Sequence, residues 1–160
     1  MTGFIAHLPP ASVPAETLAN EPFFPDIDSA HIRAIARFDG AVTAPILRAA
    51  ILYAITHVND QLRTWAEAQQ ADGRATLADV TAPAIAGQST RPHAYHRAIG
   101  HAAQAYAEDP RRAQATLPAG MKKEDRVLES VGLRQADHWR DMRHAIADVM
   151  ARMRENIALI

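Results

Sequence analysis

Leu47, Ile51, Ile55, Val58, Leu62 and Trp65 recur at intervals of 4, 4, 3, 4 and 3 residues. Only an α-helix keeps such a series on one face, because its side chains return every 3.6 residues. Asp60, Gln61, Arg63, Glu67 and Gln69 fall on the opposite side. Thr43 is the predicted N-cap, and Pro45 sits in the first turn, where its missing N–H costs nothing. The Ala-Asp-Gly run at 71–73 ends the helix. A five-turn helix with one apolar face must bury that face, so the rest of the chain has to cover it.

Three further helices are predicted around it. Asp28 or Ser29 caps a short one over 29–37, with Ile32, Ile35 and Ala36 as its apolar face and Asp39-Gly40 as its stop. Another runs from about Pro92 to Glu108, with Tyr95, Ile99, Ala102 and Tyr106 on one face. The last begins near Glu124 or after Gly132; Trp139, Met142, Ile146, Val149 and Met153 recur at 3, 4, 3 and 4. Gly132 weakens that helix by about 1 kcal/mol relative to alanine. Residues 74–91, with Pro83 and Gly87, predict a structured loop with a short strand near Leu77. Residues 108–123 predict a basic loop, from its prolines and glycine. The fold class expected is therefore all-α, a four-helix bundle.

The two ends are harder to place in such a bundle. Residues 1–27 carry Pro9, Pro10, Pro14, Pro22 and Pro25 and no sustained period, which predicts an extended N-terminal arm. Its Glu-Pro-Phe-Phe-Pro-Asp stretch holds two of the chain's four phenylalanines, Phe23 and Phe24. The other end, Asn-Ile-Ala-Leu-Ile, is apolar. The domain reading is an arm over 1–27, a helical domain over 28–156 and a docking tail over 157–160. Exposed apolar ends are commonly docking elements. Phe4, Ile5, Phe23 and Phe24 are the candidate interface of the arm, and Ile157, Leu159 and Ile160 that of the tail.

Charge and chemistry narrow the function classes. The chain has 160 residues and a net charge of −1, but residues 1–80 carry −4 and residues 81–160 carry +3. An acidic front and a basic back suit head-to-tail self-association. There is no cysteine, which removes disulfides, thiolate metal sites and thiol nucleophiles. No signal peptide, membrane anchor or membrane span is expected. His93 and His96 share a helix face, but no third ligand is placed to complete a metal site and no His-Glu-x-x-His motif occurs. No Gly-x-Ser-x-Gly elbow and no phosphate-binding glycine loop appears. The expectation is no cofactor, no metal and no enzymatic activity. Arg111, Arg112, Lys122 and Lys123 are the candidate channel-facing or DNA-facing residues, through non-specific phosphate contact.

Several segments occur together in a fixed order: Phe-Phe-Pro-Asp-Ile-Asp at 23–28, Phe-Asp-Gly-Ala-Val-Thr at 38–43, and His-Val-Asn-Asp-Gln-Leu-Arg-Thr-Trp at 57–65. They are followed by Thr-Leu-Ala-Asp-Val at 76–80, Tyr-His-Arg-Ala-Ile at 95–99, His-Trp-Arg-Asp-Met-Arg-His-Ala-Ile-Ala-Asp-Val-Met at 138–150 and the apolar tail. The chain resembles the phage head completion/stabilisation (GPL) family of contractile-tailed phages along nearly its whole length, least well over 108–123. The resemblance implies a connector-adaptor-like fold and a virion protein of the head–tail neck, assembled in the host cytoplasm. It implies a ring beneath the portal, dodecameric like the portal, that retains the packaged DNA and offers a platform to the tail. The partners implied are further copies of the chain, the portal, a tail-terminator or lower neck protein, and DNA passing non-specifically through the lumen. The alternative reading is a helical DNA-binding accessory of packaging, gripping duplex through the 108–123 loop and the last helix.

Overall fold

The computed structural model describes the backbone of residues 15–38, 42–115 and 121–153, and the side chains of 15–38, 42–108 and 132–153. Among these residues the chain has four helices and two short two-stranded ladders. The helices are α1 (Ser29–Ile35), α2 (Ala44–Ala71), α3 (Thr90–Ala115) and α4 (Met121–Met150). The first ladder pairs β1 (Thr17–Leu18) antiparallel with β2 (Ile27–Asp28); the second pairs β3 (Ala84–Ile85) with β4 (Gln88–Ser89). The fold is mostly helical, with these small ladders as a correction to the all-α expectation.

Local chemistry explains the element ends. The Asp28 carboxylate accepts from the Ala30 N–H at 2.8 Å and caps α1. Thr43 caps α2 through its extended backbone, without a side-chain bond, and Pro45 occupies the first turn. Asp72 and Gly73 close α2, their N–H groups donating to the Ala68 and Gln70 carbonyls. Leu77 lies in a 3-10 turn, Leu77–Asp79, with a capping box between Thr76 and Asp79, instead of in a strand. The strands of this region fall later, around Ala86-Gly87, both with positive φ, as a two-residue hairpin loop requires.

Residues 108–123 do not form the long basic loop that the sequence predicts. α3 continues through Pro110 to Ala115 and α4 begins at Met121, so Arg111 and Arg112 belong to one helix and Lys122 and Lys123 to the next. A proline inside a helix costs about 3 kcal/mol, and that local penalty is what stopped the predicted helix. α3 nevertheless runs through Pro110 to Ala115, antiparallel beside α4.

α3 is the central element, packed against both α2 and α4, while α2 and α4 approach each other only narrowly. The expected faces hold: Leu47, Ile51, Val58 and Leu62 of α2, Tyr95, Ile99 and Ala102 of α3, and Met142, Ile146 and Val149 of α4 are buried. Ile32 and Ala36 are buried under α1, whereas Ile35 and Met153 are exposed. Alanines line α3 at 98, 102, 103 and 105, all fully buried, which lets its neighbours approach closely. Gly132 lies inside α4, and a Cβ built on it meets nothing within 4 Å. Gly132→Ala should therefore stabilise the fold by about 1 kcal/mol, seen as a higher urea midpoint with unchanged m-value.

The segment before α1 is part of the same core. Leu18, Phe23, Phe24 and Ile27 join the cluster formed by α2, α3 and α4. The expected boundary between an arm at 1–27 and a domain at 28 does not separate these residues, because 15–27 is folded onto the helices.

Candidate functional site

Phe23 and Phe24 are 3% and 5% exposed. This corrects their assignment to a subunit boundary: they fill their own protomer's core. Pro22 and the Phe24 N–H to Glu21 carbonyl bond, 2.9 Å, turn the chain so that both rings point inward. Phe24 stacks on Tyr95 at 5.0 Å with 9° between the rings, Phe23 meets Phe24 edge-on at 5.2 Å, and Trp65 lies 6.1 Å from Phe23. The Leu77 N–H donates to the Phe23 carbonyl at 2.8 Å, so the loop after α2 also closes over this corner. Each ring contributes about 1.5–3 kcal/mol by burial.

Beside the rings sits a closed polar circuit. Tyr95 Oη donates to Asn59 Oδ1 at 2.6 Å, Asn59 Nδ2 donates to Asn20 Oδ1 at 2.9 Å, and Asn20 Nδ2 donates to Tyr95 Oη at 2.8 Å. Asn20 Nδ2 also reaches the Pro25 carbonyl, and the Asn20 N–H reaches Asp26 Oδ1, both at 2.9 Å. Asn59 is the one buried polar residue among those described. The circuit ties the segment before α1 to α2 and α3, and burial pushes the Tyr95 hydroxyl pKa up. Glu16 pairs with Arg48 of α2 at 3.0 Å, and its N–H donates to Ser29 Oγ at 2.9 Å. The N-terminal segment is thus anchored next to the first turns of α2.

The C-terminal end of α4 is anchored by Arg91. Its guanidinium donates to the Val149 carbonyl and to the Thr81 carbonyl (2.9 Å from Nη2), and lies 5.6 Å from the Trp65 ring centroid. A cation at a helix C-terminus is favoured by the partial negative charge of the free carbonyls. Ala151 adopts φ 53° and the Arg152 N–H returns to the Ala147 carbonyl at 2.9 Å, closing the helix as a left-handed cap. Arg97 pairs with Asp148 on the same helix end. Asn20, Asn59 and Arg91 were not singled out from sequence. The one available signal was Asn59 directly after Val58, a polar residue at the edge of an apolar face.

Histidines and carboxylates do not converge on a metal: among the described residues no group of three or more His, Asp or Glu could hold one. The His31 and His96 rings meet at 5.3 Å, and those of His101 and His138 at 6.1 Å. Burial, then His31 and His93, lowers the His96 pKa, although a backbone bond with Asp26 opposes this. Burial, then His138 and Arg97, lowers that of His101, with Asp141 and Gln104 opposing. The unfolded chain then takes up protons at the ordinary histidine pKa, about 6.5, before the native chain does. Stability should be complete above about pH 6.5 and fall as pH drops below it toward the depressed native values. The urea midpoint at pH 5.5 should lie below that at pH 7.5, with a smaller difference in the His96→Gln, His101→Gln variant. His101 Nδ1 and Glu108 Oε2 are the buried side-chain polar atoms without a hydrogen-bond partner among the described residues. Glu108 lines a cavity of about 160 Å³ with Arg37, Arg134 and His138.

The remaining predicted site residues are placed less fully. Phe4, Ile5, Ile157, Leu159 and Ile160 lie outside the described residues. Arg111, Arg112, Lys122 and Lys123 are placed by backbone only, where α3 ends and α4 begins. No helix among the described residues is long and apolar enough to cross a membrane.

The described residues make a helical protein in which aromatic and polar contacts fasten the segment before α1 and the end of α4 to the core. The model of the phage head completion protein (GPL) family matches residues 18–160, and the chain belongs to that family. It is 33% identical over 137 residues to the head completion/stabilization protein of Escherichia phage P2, covering 86% of this chain and 79% of the relative. No solved structure matched the chain.

Proposed function

We propose that this chain forms an adaptor ring beneath the portal of a phage head, retains the packaged DNA and offers the platform on which the tail joins. The observation that carries this reading is the family match across residues 18–160, in common with a relative named for head completion and stabilisation. The uneven charge, −4 in the first half and +3 in the second, supports a ring, since a ring joins two different faces of one subunit. The ring is dodecameric like the portal, and its partners are its own copies, the portal, a tail-terminator or lower neck protein, and DNA held without sequence preference. Assembly takes place in the host cytoplasm.

In this reading the contacts beyond the protomer are made by Phe4 and Ile5 at one end and by Ile157, Leu159 and Ile160 at the other. Arg111, Arg112, Lys122 and Lys123 face the channel. Deleting 157–160 should leave the thermal midpoint unchanged within about 2 °C, because the described core is closed by contacts within 15–153, yet particles should lose their DNA and fail to take tails. The check is a thermal melt of the purified chain beside particle counts and infectivity. Particles that keep DNA and join tails without these residues would contradict the tail's role. Tight, salt-sensitive binding of the free chain to duplex DNA would favour the packaging-accessory reading instead.

A further inference from the structure

Two seven-residue rows stand on outward faces of the helices. On α2, Ile46, Tyr53 and Asp60 follow one another along an exposed edge of the helix, beside the buried residues Ala50 and Ala54. Tyr53 is 62% exposed and Ile46 43%. No Lys, Arg, Asp or Glu occurs between Arg48 and Asp60, and Leu52, also exposed, widens the uncharged surface. On α4, Leu133 and Arg140 stand on the face opposite Met142, Ile146 and Val149, and Leu133 is 63% exposed. Each row thus places a large exposed apolar residue seven positions before a charge, and the two charges are opposite in sign.

We propose that α2 of one copy packs alongside α4 of a second copy, with Tyr53 against Leu133 and Asp60 against Arg140. This rests on the ring reading and specifies the interface that closes the ring. Direction agrees. α3 is antiparallel to both helices: Tyr95 meets Asn59 and Tyr106 meets Tyr53, while Gln135 bonds Ala105 and Arg97 bonds Asp148. α2 and α4 therefore run the same way. With the ring axis taken along the helices as part of the proposal, rotation preserves that direction and neighbours meet in parallel.

Height agrees as well. A closed ring has no rise, so contacting residues must lie at one level along its axis. Within a protomer the His57 and Trp139 rings are 5.1 Å apart, which sets a common level for the two helices. At 1.5 Å per residue, Tyr53 lies about 6 Å below it and Leu133 about 9 Å below. Asp60 lies about 4.5 Å above it and Arg140 about 1.5 Å above. Both pairs match to about 3 Å, within the reach of the side chains. Asp60 now pairs with Arg63, and Arg140 with Asp137 and Asp141, all as exposed ion pairs. Such pairs are worth about 0–1 kcal/mol each and exchange readily.

The lack of cysteine makes the test clean. Particles carrying Tyr53→Cys with Leu133→Cys are oxidised mildly and run on a non-reducing gel, and the chain's copies per particle are counted. The expected result is a ladder extending beyond the dimer, with neither single variant giving one. Several copies per particle without a ladder would overturn this interface and leave the ring intact; a single copy per particle would overturn the ring itself. A dimer from Tyr53→Cys alone would also overturn the proposal, because it places α2 against α2. If the double variant is not incorporated, the charge exchange decides: Asp60→Arg should cut incorporation at least tenfold and Arg140→Asp in the same chain should restore it. Failure of that rescue overturns the pairing.

Discussion

Phe24→Ala should lower the unfolding free energy by about 3–5 kcal/mol, the range for truncating a buried aromatic side chain. The ring is 5% exposed, stacks on Tyr95 and touches Phe23 edge-on. Truncation leaves a cavity between the segment before α1 and α3, and it also removes the cover over the Asn20–Asn59–Tyr95 circuit. For a domain whose whole stability is about 5–15 kcal/mol, that is a large fraction. The thermal midpoint should drop by roughly 10 °C. Phe23→Ala should behave similarly, softened where Trp65 can follow the vacated space. Urea denaturation of the purified chain gives the number. A loss under about 1 kcal/mol, together with failed assembly at low temperature, would return these rings to an interface between subunits.

Asn59→Leu should cost about 2–4 kcal/mol, although leucine matches the residue's size and the surrounding apolar face. The reason is what it leaves behind. Tyr95 Oη loses the acceptor at 2.6 Å, a buried orphan that costs about 1–3 kcal/mol, and Asn20 Oδ1 loses the donor at 2.9 Å and keeps only the Glu21 N–H at 2.8 Å. The triple variant Asn20→Ala, Asn59→Leu, Tyr95→Phe removes the circuit together. It should be less destabilised than the three single variants would suggest if they added, because none of the three circuit members is left facing a missing partner within the circuit, although the Pro25 carbonyl and the Glu21 N–H still lose Asn20. Additive losses would mean that the three bonds act independently. Hydrogen exchange at Leu18 and Ile27 offers a second readout: Asn59→Leu should accelerate it by one to two orders of magnitude if the circuit fastens the N-terminal segment.

The helical frame was legible because its signals are local and repeated. The α2 face was read from six apolar positions and its ends from Thr43, Pro45 and Asp72-Gly73; Leu47, Ile51, Val58 and Leu62 are buried, Ile55 and Trp65 partly so, and the helix ends where expected. The α1 cap at Asp28 was equally plain. The misreadings share a cause, which is that local rules were applied where tertiary contact decides. Pro110 reads as a helix stop, but α3 continues past it to Ala115. Pro22 and Pro25 read as marks of an arm, yet they shape a turn that delivers Phe23 and Phe24 into the core. Leu77 reads as strand because it is isolated and apolar, but its N–H goes to Phe23, a partner 54 residues earlier that no local pattern announces. The polar circuit is less legible still: Asn20, Asn59 and Tyr95 come from three elements. Arg91 looks like an ordinary surface cation until Thr81, Trp65 and Val149 are seen around it. Function entered through ordered segments, from Phe-Phe-Pro-Asp-Ile-Asp to the α4 run, and family membership confirms that resemblance.

The most direct measurement is electron cryomicroscopy of DNA-filled particles whose copies of this chain carry a compact label after residue 153. Label density is expected only at the portal vertex, in a ring with the portal's copy number, and particles without the chain should leak DNA. Label spread over the capsid shell, or tailed and DNA-filled particles with none at the neck, would contradict it.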